Sequence, residues 1–220
     1  MFASKQARSF FGALARWSAP ACFAIACFGC KGSGQSIGVG SAIERLADLR
    51  PEASIPESAH LVLAGTRLPV TAKTTRAGSE LRIELLAHSV VLETEQYSVS
   101  EQEFGLVNAA AERYAPALPL LRFPMRIGDS WSWEGRLEMA DISRNASAKI
   151  TSAKDRLNVE GFDDEAVRVL VELSIDSGGP TPAKRELAFW FVPQRGLLKR
   201  EFGQASSRVP VPPKPDREKE

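Results

Sequence analysis

Few residues of this chain combine the type and the spacing that chemistry needs. There are two histidines, His60 and His88, each in a stretch of strand-like alternation with no second ligand type beside it. Zinc takes three or four nitrogen, sulfur or carboxylate ligands; no HExxH pairing occurs and no cysteine follows residue 30, so no metal site is expected. A Ser-His-Asp triad is assembled from residues distant in sequence, but only these two histidines are on hand to act as its base. Two acidic pairs, Asp163-Asp164 and Glu93/Glu95, have the residue type of a glycosidase site. The first reads as a Gly-Phe-Asp-Asp turn, where aspartate is locally favoured. Glu93 and Glu95 share a strand face with Tyr97 and read as a polar face turned to solvent. No calcium loop with alternating carboxylates around a glycine is present. Gly32-Ser33-Gly34 and Gly38-Val39-Gly40 open no helix after a strand and read as linker. Asn145-Ala146-Ser147 fits a glycosylation acceptor and is read as incidental. No cofactor is expected, and no enzyme.

The N-terminal segment is more informative. Lys5, Arg8 and Arg16 precede an uncharged run from Trp17 to Gly29, with no acidic residue before Glu44. Such a run suits the apolar region of an export signal and is too short for the roughly 20 residues of a spanning helix. A small residue directly before a cysteine at the end of such a run resembles the bacterial lipobox. Ala24-Ile25-Ala26-Cys27 and Phe28-Gly29-Cys30 both qualify. Cys30 is preferred, because the polar linker starts immediately after it, and Cys27 is the alternative. Acylation there would tether the chain to a lipid bilayer, each buried methylene adding about 0.8 kcal/mol. Neither Lys31 nor Phe28 is the aspartate that goes with inner-membrane retention of enterobacterial lipoproteins, so the resemblance favours an outer membrane where there is one. All three cysteines, Cys22, Cys27 and Cys30, lie in this segment. The remainder therefore has no internal disulfide and no thiol nucleophile.

Residues 1–30 are thus expected to be a lipoprotein signal, 31–42 a flexible linker, 43–203 one domain and 204–220 a disordered tail rich in proline and charge. The 28 basic and 27 acidic residues nearly cancel and are interspersed, which argues against nucleic acid as a partner and leaves no polybasic membrane patch. The partners left are the bilayer, an envelope protein, or an apolar ligand.

The elements that would carry any site are strands. One short amphipathic helix is expected near Ile43–Leu49, capped by Ser41 with Glu44 three residues on and stopped by Pro51. From His60 the apolar period is two. Alternating stretches run through Leu61–Leu63, Leu68–Ala72, Leu81–Leu85, Val91–Val99 with a bulge or bend near His88-Ser89, Phe104–Ala110, Ser130–Met139, Ala148–Val159, Val167–Ile175, Leu187–Val192 and Leu197–Phe202. Tyr114–Pro124, with three prolines, is expected to be irregular or extended. Leu187–Val192 is apolar on both faces and therefore central or doubly covered. Roughly eight to ten short strands with almost no helix predict an all-β fold, a curved antiparallel sheet or an open, incomplete barrel.

Leu121-Arg-Phe-Pro-Met-Arg-Ile-Gly-Asp-Ser-Trp-Ser-Trp-Glu-Gly135 resembles the FPxxxGDxWx-aromatic signature of bacterial exported domains of unknown function, often lipoproteins. Phe189-Trp-Phe-Val-Pro-Gln-Arg-Gly-Leu-Leu-Lys-Arg-Glu201 resembles their closing hairpin, and Asn158–Val169 their preceding strand, with Glu160-Gly161 in place of an Ala-Gly turn. The resemblance implies a curved antiparallel sheet or incomplete barrel in the envelope and brings no reaction with it. In physical terms, Gly128-Asp129 makes the turn that launches a strand whose Trp131 and Trp133 bury large aromatic area; as a ligand-facing pair they would be a stacking platform. The expected function is a non-enzymatic structural or binding domain. The alternative is a carrier or sensor of an apolar ligand in an open β-cup, with a hydrolase more remote.

Overall fold

The computed structural model describes residues 43–49, 57–159, 162–203 and 206–211. The chain divides into units Met1–Gly38 and Val39–Glu220, and the described residues all belong to the second. Cys27, Cys30, the linker, the Ser41 cap, Pro51, the Glu160-Gly161 turn and residues 212–220 lie outside the described residues.

Twelve antiparallel strands follow one another: β1 Glu57–Leu63, β2 Thr66–Ala77, β3 Glu80–Ala87, β4 Val90–Val99, β5 Glu103–Ala109, β6 Glu112–Arg122, β7 Ser130–Met139, β8 Ile142–Val159, β9 Phe162–Ile175, β10 Ala183–Val192, β11 Gly196–Phe202 and β12 Ser206–Pro210. Each pairs with the strand before it, and β12 closes on β1 to complete a barrel. Closure removes the two unpaired edges that an open sheet would expose.

The all-β antiparallel expectation holds, with a closed barrel and two more strands than the longest sequence count. One of these is β6. Its prolines are tolerated because its ladder to β7 stops at Ala115↔Arg136, so beyond that point no β7 carbonyl waits for the missing N–H. The other is β12, which lies inside the expected tail. Its inward residues are Ser206, Arg208 and Pro210, which do not spell an apolar alternation. The bend expected near His88-Ser89 is a hairpin turn with both residues at positive φ (46° and 69°). The register shift lies nearby, at Leu85/Leu86. Asp163 and Asp164 sit in β9, paired with Asn158 and Leu157, and not in a turn.

The two ends of the barrel differ. The proximal end carries the β2–β3, β4–β5, β6–β7 and β10–β11 turns together with a single 3₁₀ turn, Leu46–Leu49, in place of the expected helix. This segment docks by Gln194 N–H donating to the Asp48 carbonyl (2.7 Å) and by burying Ile43, Leu46 and Leu49. The distal end carries the turns that follow β1, β3, β5, β7, β9 and β11.

Twelve strands can enclose a wide lumen, but here opposite walls touch. Phe104 on β5 and Phe191 on β10 meet edge to face at 5.4 Å, though four strands separate them by the shorter way round. Tyr97 packs on Phe104 at 5.2 Å and Phe189 on Phe202 at 5.7 Å. Side chains from facing walls therefore meet across the interior of the barrel and form one continuous core.

A second, smaller core lies outside the wall. Residues 152–166 of β8 and β9 run past the last pairs with β7 and β10. This arm packs Leu157, Phe162 and Ala166 over the outward Ala188, Trp190, Val192 and Leu198. Leu187–Val192 is thus doubly covered, as its two-faced apolarity predicts. Trp190 Nε1–H donates to Asp155 (3.0 Å), Lys199 lies over the Trp190 ring and Arg195 over the Phe162 ring.

Candidate functional site

Trp131 and Trp133 are brought together on β7, as their spacing implies, but both are engaged within the protein. Trp133 is 5% exposed and meets Tyr114 at 6.2 Å. Its indole N–H donates to the Pro116 carbonyl (3.2 Å), and that of Trp131 to the Pro119 carbonyl (2.8 Å). These two bonds span the stretch where the β6–β7 backbone ladder has ended, so the tryptophans join the strands that the prolines of β6 leave unpaired. Gly135 leaves room for this: a Cβ there would fall 2.5 Å from the Trp133 ring and 2.7 Å from the Ala115 carbonyl. Gly135→Ala is expected to destabilise by about 1–3 kcal/mol, measured as a lower denaturant midpoint at unchanged m-value. The Gly128-Asp129 turn forms as expected. The Asp129 carboxylate accepts from Arg126 N–H (2.8 Å), and buried Ser152 on β8 ties down the carbonyls of Arg126 and Asp129.

The most unusual chemistry is inside the barrel, where Glu93 and Glu95 point inward rather than to solvent. The parity with Tyr97 is correct and the side is not, because these carboxylates face cations from the opposite wall. Arg200 on β11 and Glu95 are both 0% exposed. Arg200 donates from Nε to Glu95 (2.8 Å), from Nη1 to Ser206 Oγ (2.6 Å) and from Nη2 to Glu93. Arg208 on β12 donates from Nε and Nη2 to Glu95 (3.1 and 3.3 Å) and from Nη1 to the carbonyls of Leu197 and Leu198 (3.2 and 3.1 Å). Tyr97 O–H donates to Glu95 (2.7 Å). Ser206 O–H and Ala110 N–H complete Glu93. Two carboxylates and two guanidiniums sum to zero charge, the condition under which buried charge is tolerated.

Burial pushes the Glu95 carboxyl up, but Arg208 and Arg200 outweigh it with help from Tyr97, and its pKa falls from 4.5 to about 2. Burial dominates for Glu93 and raises it, only partly offset by Arg200. Burial and the neighbouring Glu95 charge push the Tyr97 phenol well up. A depressed carboxylate stabilises the fold fully above the unfolded pKa and loses that contribution as pH falls through the folded one. The Glu95 contribution is therefore complete above about pH 4.5 and is lost between about 4.5 and 2. Glu93, raised, acts in the opposite sense. The wild-type thermal midpoint is expected to fall across the Glu95 window, and Glu95→Gln to lose much of that slope.

A second ionic contact crosses from β6 to β10. Arg185 grips Glu112 with two bonds of 2.6 Å, and Tyr114 O–H donates to the same carboxylate (3.2 Å). Burial and the Glu112 charge push the Tyr114 phenol up.

His60 and His88 line one groove of about 370 Å³ on the outer wall of β1–β3, and Arg67 lies 2.9 Å from His60 Nδ1. Asp163 and Asp164 pair with Arg156 and Arg195. Gly34-Gln35-Ser36-Ile37-Gly38 has the GxSxG spacing of a nucleophile elbow, which requires a strand before it and a helix after; it lies outside the described residues. Among the described residues no group of three or more His, Cys, Asp or Glu could hold a metal, and no helix is long and apolar enough to cross a membrane.

One surface feature had no counterpart in the pattern of core residues. Among the described residues the large hydrophobic side chains left exposed are Leu63, Val90, Val91, Leu92 and Ile142, and all five sit on distal hairpins, the ends of β1, β4 and β8 that flank the β1–β2, β3–β4 and β7–β8 turns.

No family model matches this chain, and no curated protein does. Among solved structures it is similar to the hypothetical lipoprotein YmcC from Escherichia coli (K12), at 12% identity over 74% of this chain and 89% of that one, with a TM-score of 0.39, a likeness too weak to transfer a role.

Proposed function

We propose that the protein is a lipid-tethered lipoprotein of a bacterial envelope whose barrel is a non-enzymatic module that binds on its outer surface. The observation that carries this reading is the Phe104–Phe191 contact between opposite walls, together with an interior whose carboxylates are saturated by arginine, serine and tyrosine. A lumen crossed this way offers no cup for an apolar ligand. A carboxylate gripped by two guanidiniums is a poor general base. The tether itself is supported by the residues before Lys31: a basic start, a short apolar run and a cysteine after a small residue.

Labelled palmitate tests it. Incorporation is expected into the wild-type chain and into one of Cys27→Ala and Cys30→Ala but not the other; an unlabelled wild type overturns the tether. The absence of a luminal ligand is tested by native extraction and lipid mass spectrometry. A co-purifying lipid at near-stoichiometric amount that persists after exposed lipid is washed away would overturn the outer-surface reading.

A further inference from the structure

We infer that the distal hairpin end of the barrel is a second membrane contact, resting on a bilayer surface through Leu63, Val90, Val91, Leu92 and Ile142. This rests on the tethered reading above and deepens it.

Four consecutive turns crown the β1–β8 half of the distal end: Ala64-Gly65, His88-Ser89, Ala110-Ala111 and Ala140-Asp141. Asp141 is the single carboxylate among those eight residues, and none is lysine or arginine. Beside them stand the exposed aliphatics, Val90 at 62%, Ile142 at 52%, Val91 at 45%, Leu92 at 43% and Leu63 at 36%. The proximal end is polar by contrast, with exposed Glu80, Glu101, Arg126 and Arg195 in or beside its turns. Exposed charges stand at the distal end too, at Arg67, Arg113, Asp176 and Lys184. The four turn tips of its β1–β8 half are nevertheless apolar or neutral save Asp141, and that half fits an apolar boundary met from one side.

The chemistry favours a bilayer over a protein. Hot spots between proteins are enriched in tryptophan, tyrosine and arginine set in packed pockets, whereas these tips are aliphatic and stand on three separate hairpins. A fluid acyl boundary conforms to isolated tips; a rigid partner does not. Reach is sufficient as well. Twelve residues lie between Cys30 and Ile43, enough for about 40 Å when extended. The ten residues of β4 span about 25 Å along the axis at a rise of about 3.3 Å and a tilt of about 40°. An anchor attached beyond the proximal end thus permits the distal tips to lie on the same membrane, held there at high effective concentration.

The test uses the full chain in vesicles of phosphatidylethanolamine and phosphatidylglycerol containing nitroxide-labelled lipid. A fluorophore is placed at Val90→Cys or, as control, at Ser79→Cys on the proximal end, with Cys22 and the non-acylated member of Cys27 and Cys30 replaced by alanine. Quenching of more than half the emission at Val90 and little at Ser79 is expected, with the Val90 signal lost when Leu63→Asp and Leu92→Asp are added. Equal weak quenching at both positions overturns the inference. So does a Val90 site unquenched in pure lipid that crosslinks to a protein in whole membranes, which would make the end a protein-docking surface. If palmitate is incorporated but Val90 is not quenched, only this inference fails. If palmitate is not incorporated yet the unacylated chain still shows quenching at Val90, the tether fails and the contact stands.

Discussion

Arg200→Met is expected to lower stability by about 3–5 kcal/mol, because it strips Glu93 of its guanidinium and leaves two buried carboxylates with Arg208 alone, on Glu95, to balance them. Arg200 is fully buried and contacts Glu93, Glu95 and Ser206 at once. For a chain of this size the loss corresponds to a fall of about 10 °C in thermal midpoint. A companion variant separates charge from shape. Replacing Glu93, Glu95, Arg200 and Arg208 together by leucine or methionine removes the whole charged set, and replacing a buried ion cluster by apolar residues is often neutral or stabilising. That variant should recover most of the loss. Equal instability of the two would mean that packing, not charge balance, holds the walls together there.

Removal of residues 204–220 is expected to abolish cooperative folding, whereas a chain ending at Val211 should fold like the full protein. The longer truncation takes away β12, which pairs with β1 from Ala59↔Pro210 to Leu63↔Ser206 and with β11 from Arg200↔Arg208 to Phe202↔Ser206. It also removes Arg208 from Glu95 and Ser206 from Glu93. Two unpaired edges would open, the configuration most prone to pair with other copies. Circular dichroism melts and size-exclusion profiles of the two truncations check this; a monomeric, cooperative melt from the longer truncation would show that β12 is dispensable.

Where inward residues are apolar, the sequence could be read directly. The faces of β7 and β9 follow from alternation, the two-faced apolarity of β10 announces its double cover, and Gly128-Asp129 announces its turn. Two of the misreadings share one physical cause. β12 looked like tail and the Glu93/Glu95 face looked wet because both faces bury charge, and a buried ion pair has the same local pattern as a solvated one. The partner that reveals the difference is more than a hundred residues away, at Glu95–Arg208 and Glu93–Arg200. β6 was obscured in another way: its prolines are compatible with a strand only because the ladder on one side ends at Ala115 and two indole N–H groups take over.

Sequence alone determined the antiparallel all-β class, the absence of thiol chemistry after residue 30 and the expectation of a tether, since these depend on residue type and local period. Tertiary structure decided that the barrel closes, that side chains of facing walls meet across it, and that the large aliphatics exposed among the described residues gather at one end. Those outcomes depend on which residues meet across the lumen and on which hairpins share an end of the barrel, and contacts at such separations leave no periodic trace along the chain.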